Sequence, residues 1–414
     1  MNRLILLLLA GAALLSAQKP DPADLIKLAA KPKSPEFQKA LEAYWTPQQL
    51  EKGEAWATFG PDAVFAIKAA KAPQLFVDDQ TAGTMRQAGA YFVGDAKLKI
   101  YNSHTFHYMV DGKKFGGRLD VIAFGPEAYE QPGVPVGKIS EKFTHTSKIY
   151  DGLVTEYWVY TPAQYNASTP APVMIWQDGK GYSDRKANNH LLIQIDNLVH
   201  QKRIPAAIHI LIAPGLIGTR AMRSVEYDTY TDQYARFVLE EILPEVSKNW
   251  NLRTDAYSRA IAGESSGGIC AFNAAWWRPD AFSRVYSRIG SFTSIQWKPG
   301  MLDGGNVYPF AIRKMPKRNI RVFLSDGSED LENNHGSWPL QNLEMANSLK
   351  LREYDFTLHW GTGMHSTAQG SSETPLALSW IWRDYDPSKK SQDFTMDPAE
   401  KDKPFFRVKS LNRE

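Results

Sequence analysis

The stretch Gly263-Glu264-Ser265-Ser266-Gly267-Gly268 decides the reading of this chain. It follows an apolar run at residues 258–262 that reads as a buried strand, and it precedes a helical pattern at residues 267–277. A serine at the tip of such a strand-to-helix turn sits on strained backbone with little room around it. The positions two before and two after it must therefore lack bulky side chains, and Gly263 and Gly267 meet that demand. The helix that follows points free N–H groups at the same place, which favours developing negative charge. Ser265 is the candidate nucleophile. Ser266, the alternative by residue type, is better placed to give its backbone N–H to an oxyanion hole.

A serine hydroxyl attacks poorly unless a histidine accepts its proton and a carboxylate holds that histidine. Around a G-x-S-x-G turn the chain order is serine, acid, histidine, each at the C-terminal end of a strand. Of nine histidines, His365 fits that order, in the loop Gly361-Thr362-Gly363-Met364-His365-Ser366 after a strand at residues 356–360. His359 lies inside that strand, and His335 comes too soon after the acid. His104, His107 and His145 precede the sheet, and His190, His200 and His209 precede the serine, so all six read as structural. For the acid, Leu324-Ser325-Asp326-Gly327-Ser328-Glu329-Asp330 offers three carboxylates after the strand at residues 320–324. Asp330 is the choice. Asp326 leaves the strand too early unless a tight turn at Gly327 compensates, and Glu329 points the other way. A second oxyanion donor is expected in Gln177-Asp178-Gly179-Lys180, after the strand at residues 173–176, where Gly179 permits close backbone approach. The N–H of Lys180 is expected to pair with that of Ser266.

Around this site the pattern from residue 143 alternates strand and helix, the form of a largely parallel sheet covered on both faces. Strands are expected at residues 143–150, 154–160, 173–176, 206–212, 258–262, 284–289, 320–324 and 356–360, and helices at 230–249, 267–277 and 340–350. Upstream, residues 63–68, 74–77, 89–93, 98–101 and 105–110 have strand character, with Asp111-Gly112 as a hairpin turn. The expected organisation is a signal peptide at residues 1–17, an irregular or helical lead-in at 18–61, a β-sandwich at 62–124, a linker at 125–142, a catalytic domain at 143–385 and a polar tail at 386–414.

The signal peptide is read from Arg3, the apolar run at residues 4–15 and the small pair Ser16-Ala17. That run is far shorter than the roughly 20 residues a bilayer span needs. Gln18 stands where a lipoprotein would carry cysteine, so a secreted or periplasmic protein without a lipid anchor or membrane contact is expected. The composition, 43% hydrophobic and 22% charged, is that of a globular protein. A net charge of +3 gives no reason to expect a nucleic-acid partner. The one cysteine, Cys270, excludes an intramolecular disulfide and a cysteine-based zinc cluster.

The matching segments are Trp176-Gln177-Asp178-Gly179, Arg223-Ser224-Val225-Glu226-Tyr227, Gly263 to Gly268, Gly336-Ser337-Trp338-Pro339, His365-Ser366 and Trp380-Ile381-Trp382-Arg383-Asp384-Tyr385. Together they resemble the esterase D-like branch of the α/β-hydrolases, which includes feruloyl and acetylxylan esterases, enterobactin-type siderophore esterases and mycobacterial mycolyltransferases. The resemblance implies an α/β fold: an α/β-hydrolase catalytic domain preceded by a small immunoglobulin-like β-sandwich. The family's acid commonly closes a Gly-x-x-Asp segment, here Gly327-Ser328-Glu329-Asp330. Phe106-His107-Tyr108-Met109-Val110-Asp111-Gly112 resembles part of a glycogen-binding-type carbohydrate module.

What the resemblance implies is a serine carboxylesterase with no metal or organic cofactor, acting on a carbohydrate-linked ester such as feruloylated or acetylated plant polysaccharide. Asp178, Arg223 and Trp338 are the candidate substrate contacts. A siderophore or other lactone esterase is the alternative, for which Arg220, Arg223, Lys180 and Arg185 could supply cations near a catecholate. The structural role open to Arg223 is an ion pair with Glu226. A non-catalytic carbohydrate-binding protein on a hydrolase scaffold is a third reading, disfavoured by intact candidates for nucleophile, base and acid.

Overall fold

The computed structural model describes residues 19–300 and 304–407, so the expected signal peptide and the end of the tail lie outside the described residues. Contacts divide the chain into two units, Met1–Lys97 with Phe106–Gly117, and Leu98–Thr105 with Arg118–Glu414.

In the first unit, Asp21, Ser34 and Thr46 each accept a backbone N–H and are followed by proline, which starts the helices Pro22–Leu28, Pro35–Tyr44 and Pro47–Lys52. Their apolar positions Leu25, Phe37, Leu41 and Leu50 are buried with Ala57, Val64, Ala66 and Val93 of a four-stranded sheet. That sheet has the order Ala55–Phe59, Asp62–Ile67, Tyr91–Lys97, Arg86–Ala88. A second has the order Gln80–Thr84, Gln74–Val77, Asn102–Val110, Lys113–Ala123. Phe65 of the first and Phe106 of the second meet with ring centroids 4.8 Å apart. The segment read as a lead-in is thus part of this unit's core, and it already contains a strand, Ala55–Phe59. Residues 98–101, expected as a strand, form a turn in which Tyr101 takes φ 67°.

The second unit is built on an 11-stranded sheet. Its path runs Arg220–Ala221, Leu216–Ile217, Val154–Thr161, Ile208–Ile212, Val173–Trp176, Arg259–Glu264, Arg284–Arg288, Arg321–Glu329, Asp355–Met364. From Ile208–Ile212 to Asp355–Met364 neighbouring strands are parallel. Because both faces are covered, Val-Met-Ile-Trp at 173–176 is buried throughout. Val173 and Ile175 join one core, with the helices Ser266–Trp277, Tyr308–Lys314 and Trp338–Leu351. Met174 and Trp176 join the other, with Leu191–His200 and Thr367–Ile381. After Val173–Trp176 the chain crosses to one side of that strand and later returns on the other. Such a change of direction marks the strand C-termini as the place where ligands bind in open α/β sheets.

The helix expected over residues 230–249 is divided into Gln233–Phe237, a π-helical turn Val238–Ile242, and Leu243–Val246. Pro244 has no N–H to give one turn back, which favours the wider register just before it. Among the described residues no helix is long and apolar enough to cross a membrane.

Candidate active site

Ser265 ends the central strand Arg259–Glu264 and takes φ 56°, ψ −122°, a conformation that costs a non-glycine residue free energy. The turn is pinned by the Ser265 N–H, which donates to Arg288 O (3.0 Å), and by the Ser291 N–H, which donates to Ser265 O (3.1 Å). A Cβ on Gly263 would lie 2.3 Å from Gly267 O, so only glycine lets the strand and the new helix approach this closely.

The structure brings Ser265, His365 and Asp330 together. His365 Nε2 lies 2.8 Å from Ser265 Oγ, and His365 Nδ1 lies 2.5 Å from Asp330 Oδ1. Asp330 Oδ1 also accepts the Leu331 N–H at 2.6 Å. The strand Asp355–Met364 runs further than expected, so His365 follows it directly and is not held in a free loop. The next residue caps the helix Thr367–Ile381. Its hydroxyl donates to Asp120 Oδ2 at 2.5 Å and accepts the Ala368 N–H at 3.1 Å. Of the other carboxylates considered, Glu329 is exposed and Asp326 is fully buried in the strand Arg321–Glu329.

Ser266 opens its helix, so its N–H has no acceptor one turn back. Lys180 lies in the single turn Gly179–Tyr182, whose first N–H groups are likewise unclaimed within the turn. Both segments leave the C-terminal ends of adjacent parallel strands, Arg259–Glu264 and Val173–Trp176.

Arg223 differs from expectation. Its guanidinium donates to both oxygens of Asp178, at 2.7 and 2.8 Å, and to Glu264 O at 3.4 Å. Glu226 instead accepts the Gly215 N–H at 2.8 Å, and burial pushes its carboxyl up to about 7. Asp178 and Arg223 therefore neutralise each other beside the nucleophile turn. Burial likewise raises Asp228, to about 6, against hydrogen bonds from Ser224 and Ser266. Trp338 also departs from its expected role as a substrate contact. It is 2% exposed, packs edge-on to the His365 ring at 5.4 Å, and its indole N–H donates to Ser291 Oγ at 3.1 Å.

Ser291 is the site residue that sequence reasoning missed. It follows the strand Arg284–Arg288, and Ile289, at φ 40°, bends the chain back toward Ser265. Position after a strand in the same sheet was the available signal, but no motif marks it.

Fold and site together define an α/β-hydrolase, with nucleophile, base and acid candidates gathered at the strand ends of one sheet. Residues 154–367 match the family described as "Putative esterase", and the chain belongs to this Esterase family of ester hydrolases. An endo-1,4-beta-xylanase/feruloyl esterase of Xylanibacter ruminicola is 25% identical over 254 residues, covering 56% of this chain and 32% of that protein. An iron(III) enterobactin esterase of Escherichia coli is 25% identical over 205 residues, covering 49% of this chain and 46% of that protein. In both cases the chain spans less than half of the relative's length. Among solved structures, the enterobactin esterase from Shigella flexneri in the presence of enterobactin aligns with a TM-score of 0.54 at 14% identity. That alignment covers 85% of this chain and 99% of the other, a likeness of fold.

Proposed function

We propose that this protein is an exported serine carboxylesterase that removes feruloyl or acetyl groups from plant polysaccharide or its fragments. The observation that carries the mechanism is the unbroken contact from Asp330 through His365 to Ser265. As Ser265 Oγ attacks the ester carbonyl, its proton passes to His365 Nε2, and Asp330 stabilises the imidazolium. The backbone N–H groups of Ser266 and Lys180 hold the oxyanion. Collapse expels the alcohol, which takes the proton from His365. Water deprotonated by His365 then attacks the acyl-enzyme, and Ser265 Oγ leaves with that proton, freeing the acid.

The substrate reading is supported by the feruloyl esterase relative; the resemblance of the N-terminal unit to a carbohydrate module is consistent with it but does not decide between polysaccharide and siderophore. A catecholate siderophore would call for free cations at the site. Of the four cations named above, Arg223 is paired with Asp178 and Arg185 with Glu130 and Asp196, while Lys180 and Arg220 are exposed. Export rests on the charged, apolar and small-residue pattern of residues 1–17.

The test is mass spectrometry of the acids released from feruloylated, acetylated arabinoxylan, with Ser265→Ala as the blank. Ferulate or acetate released by the wild type alone is expected. No release, from protein that still hydrolyses an aryl ester, would overturn the polysaccharide reading and turn attention to siderophores and lactones.

A further inference from the structure

Behind the carboxylate that faces His365 lies a second one that the mechanism above does not use. Asp326 is 0% exposed and sits in the strand Arg321–Glu329. The Asp330 N–H donates back to Gly327 O at 3.3 Å, folding Asp330 over it. The side chains of Asp326 and Asp330 are within hydrogen-bond reach of each other. Each uses its Oδ1: Asp326 accepts the Gly327 N–H at 2.7 Å, and Asp330 faces His365 and accepts the Leu331 N–H. The Oδ2 atoms of both are buried without a donor.

Of the groups around Asp326, the Asn342 side chain also comes within hydrogen-bond reach of its carboxyl. Asn342, from the helix Trp338–Leu351, gives its two amide protons to Gly290 O and Trp338 O, and its own Oδ1 is also buried without a donor. Gln369, from the helix Thr367–Ile381, reaches the main-chain oxygen of Asp326 at 3.2 Å, not the carboxyl. Two carboxyl side chains in contact, each with an Oδ2 buried without a donor, describe a place where a proton is needed.

We propose that Asp326 is a neutral carboxylic acid that donates its proton to Asp330 Oδ2, making it the positioning residue for the carboxylate that orients His365. Two carboxyl groups in such contact cannot both ionise, and burial together with the neighbouring Asp330 raises Asp326 well above the usual carboxylate range. The proton stays on Asp326 through turnover. It fixes the plane of the Asp330 carboxylate so that Oδ1 stays aimed at His365 Nδ1. This inference rests on Asp330 being the acid of the proposed mechanism.

The test is infrared difference spectroscopy of the full-length protein, wild type minus Asp326→Asn, at pH 7 in H2O and D2O. A protonated-carboxyl C=O band, sensitive to D2O and present only in the wild type, is expected. Its absence would overturn the proposal, and the spectrum needs no turnover. Kinetics supply the second readout. Asp326→Asn keeps a donor toward Asp330 and is expected to stay within a few-fold of wild-type kcat. Asp326→Ala leaves Oδ2 unpaired and is expected to lose on the order of tenfold. Equal losses in both variants would remove the positioning role. Failure of the nucleophile assignment would show separately, as activity surviving in Ser265→Ala.

Discussion

Ser291 Oγ lies 3.2 Å from Ser265 Oγ. Trp338 donates its indole N–H to Ser291 Oγ, and because Ser265 has a single proton to give His365 Nε2, Ser291 is the donor in the contact with Ser265 in that state. Ser265 Oγ then accepts from Ser291 and has its own proton free for His365 Nε2. Ser291 therefore orders the nucleophile before substrate arrives. Ser291→Ala is expected to lower kcat by roughly tenfold, the equivalent of about 1.4 kcal/mol, with KM little changed. Steady-state kinetics on an aryl ester check this. An unchanged kcat would mean that Ser265 is oriented without Ser291.

Asp330→Asn is expected to keep the fold and lower kcat by about 10³ to 10⁴, because an amide beside Nδ1 favours the imidazole tautomer that cannot accept the serine proton. The loss is read from kcat with circular dichroism as the fold control. A loss below tenfold would show that Asp326 or Glu329 supplies the orienting charge.

Glu226 gives stability a pH dependence of known sign. With its carboxyl pushed up to about 7 by burial, the folded chain holds a proton that the unfolded chain releases from about pH 4.3 upward. Folded-state protonation thus stabilises below the unfolded value, and that contribution is lost as pH rises through about 7. Glu226→Gln stays neutral and keeps an oxygen acceptor for the Gly215 N–H. Its thermal stability is expected to gain on wild type between pH 5 and pH 8, by an amount on the order of 2 to 3 kcal/mol at the upper end. Asp228, raised to about 6, titrates in the same window in both proteins and cancels in the comparison. Parallel melting curves across the pH range would contradict the assignment.

What could be read from the sequence was whatever local sterics impose. The Gly263 to Gly268 string is legible because a serine at that turn excludes side chains two positions to either side, and Asp330 and His365 are legible because each follows a strand in the required order. Contacts made across the fold were not legible. Ser291 has no motif, and the neutrality argued for Asp326 depends on burial against Asp330 and Asn342. Glycine hid the strand boundaries: Gly327, beyond the expected strand at residues 320–324, continues it, and a Cβ there would lie 2.2 Å from Gly363 O on the neighbouring strand. The helix Thr367–Ile381 went unread because it buries Ser371, Ser372, Glu373 and Thr374 and contains Pro375, a composition that reads as loop. Leu191–His200 went unread because nearly every side is buried, which leaves no polar stripe to set the period. For Arg223, a candidate substrate contact, the structural alternative was an ion pair with Glu226, whereas the fold sets it against Asp178 from a different strand end.

The central claim is that Ser265 is the nucleophile, poised by His365. Labelling with a fluorophosphonate, followed by peptide mass spectrometry, tests it most directly, with Ser265→Ala and His365→Ala as controls. One adduct per chain is expected, on the peptide containing Ser265, absent in Ser265→Ala and formed far more slowly in His365→Ala. An adduct on another residue, or esterase activity in protein whose Ser265 remains unlabelled, would contradict the account.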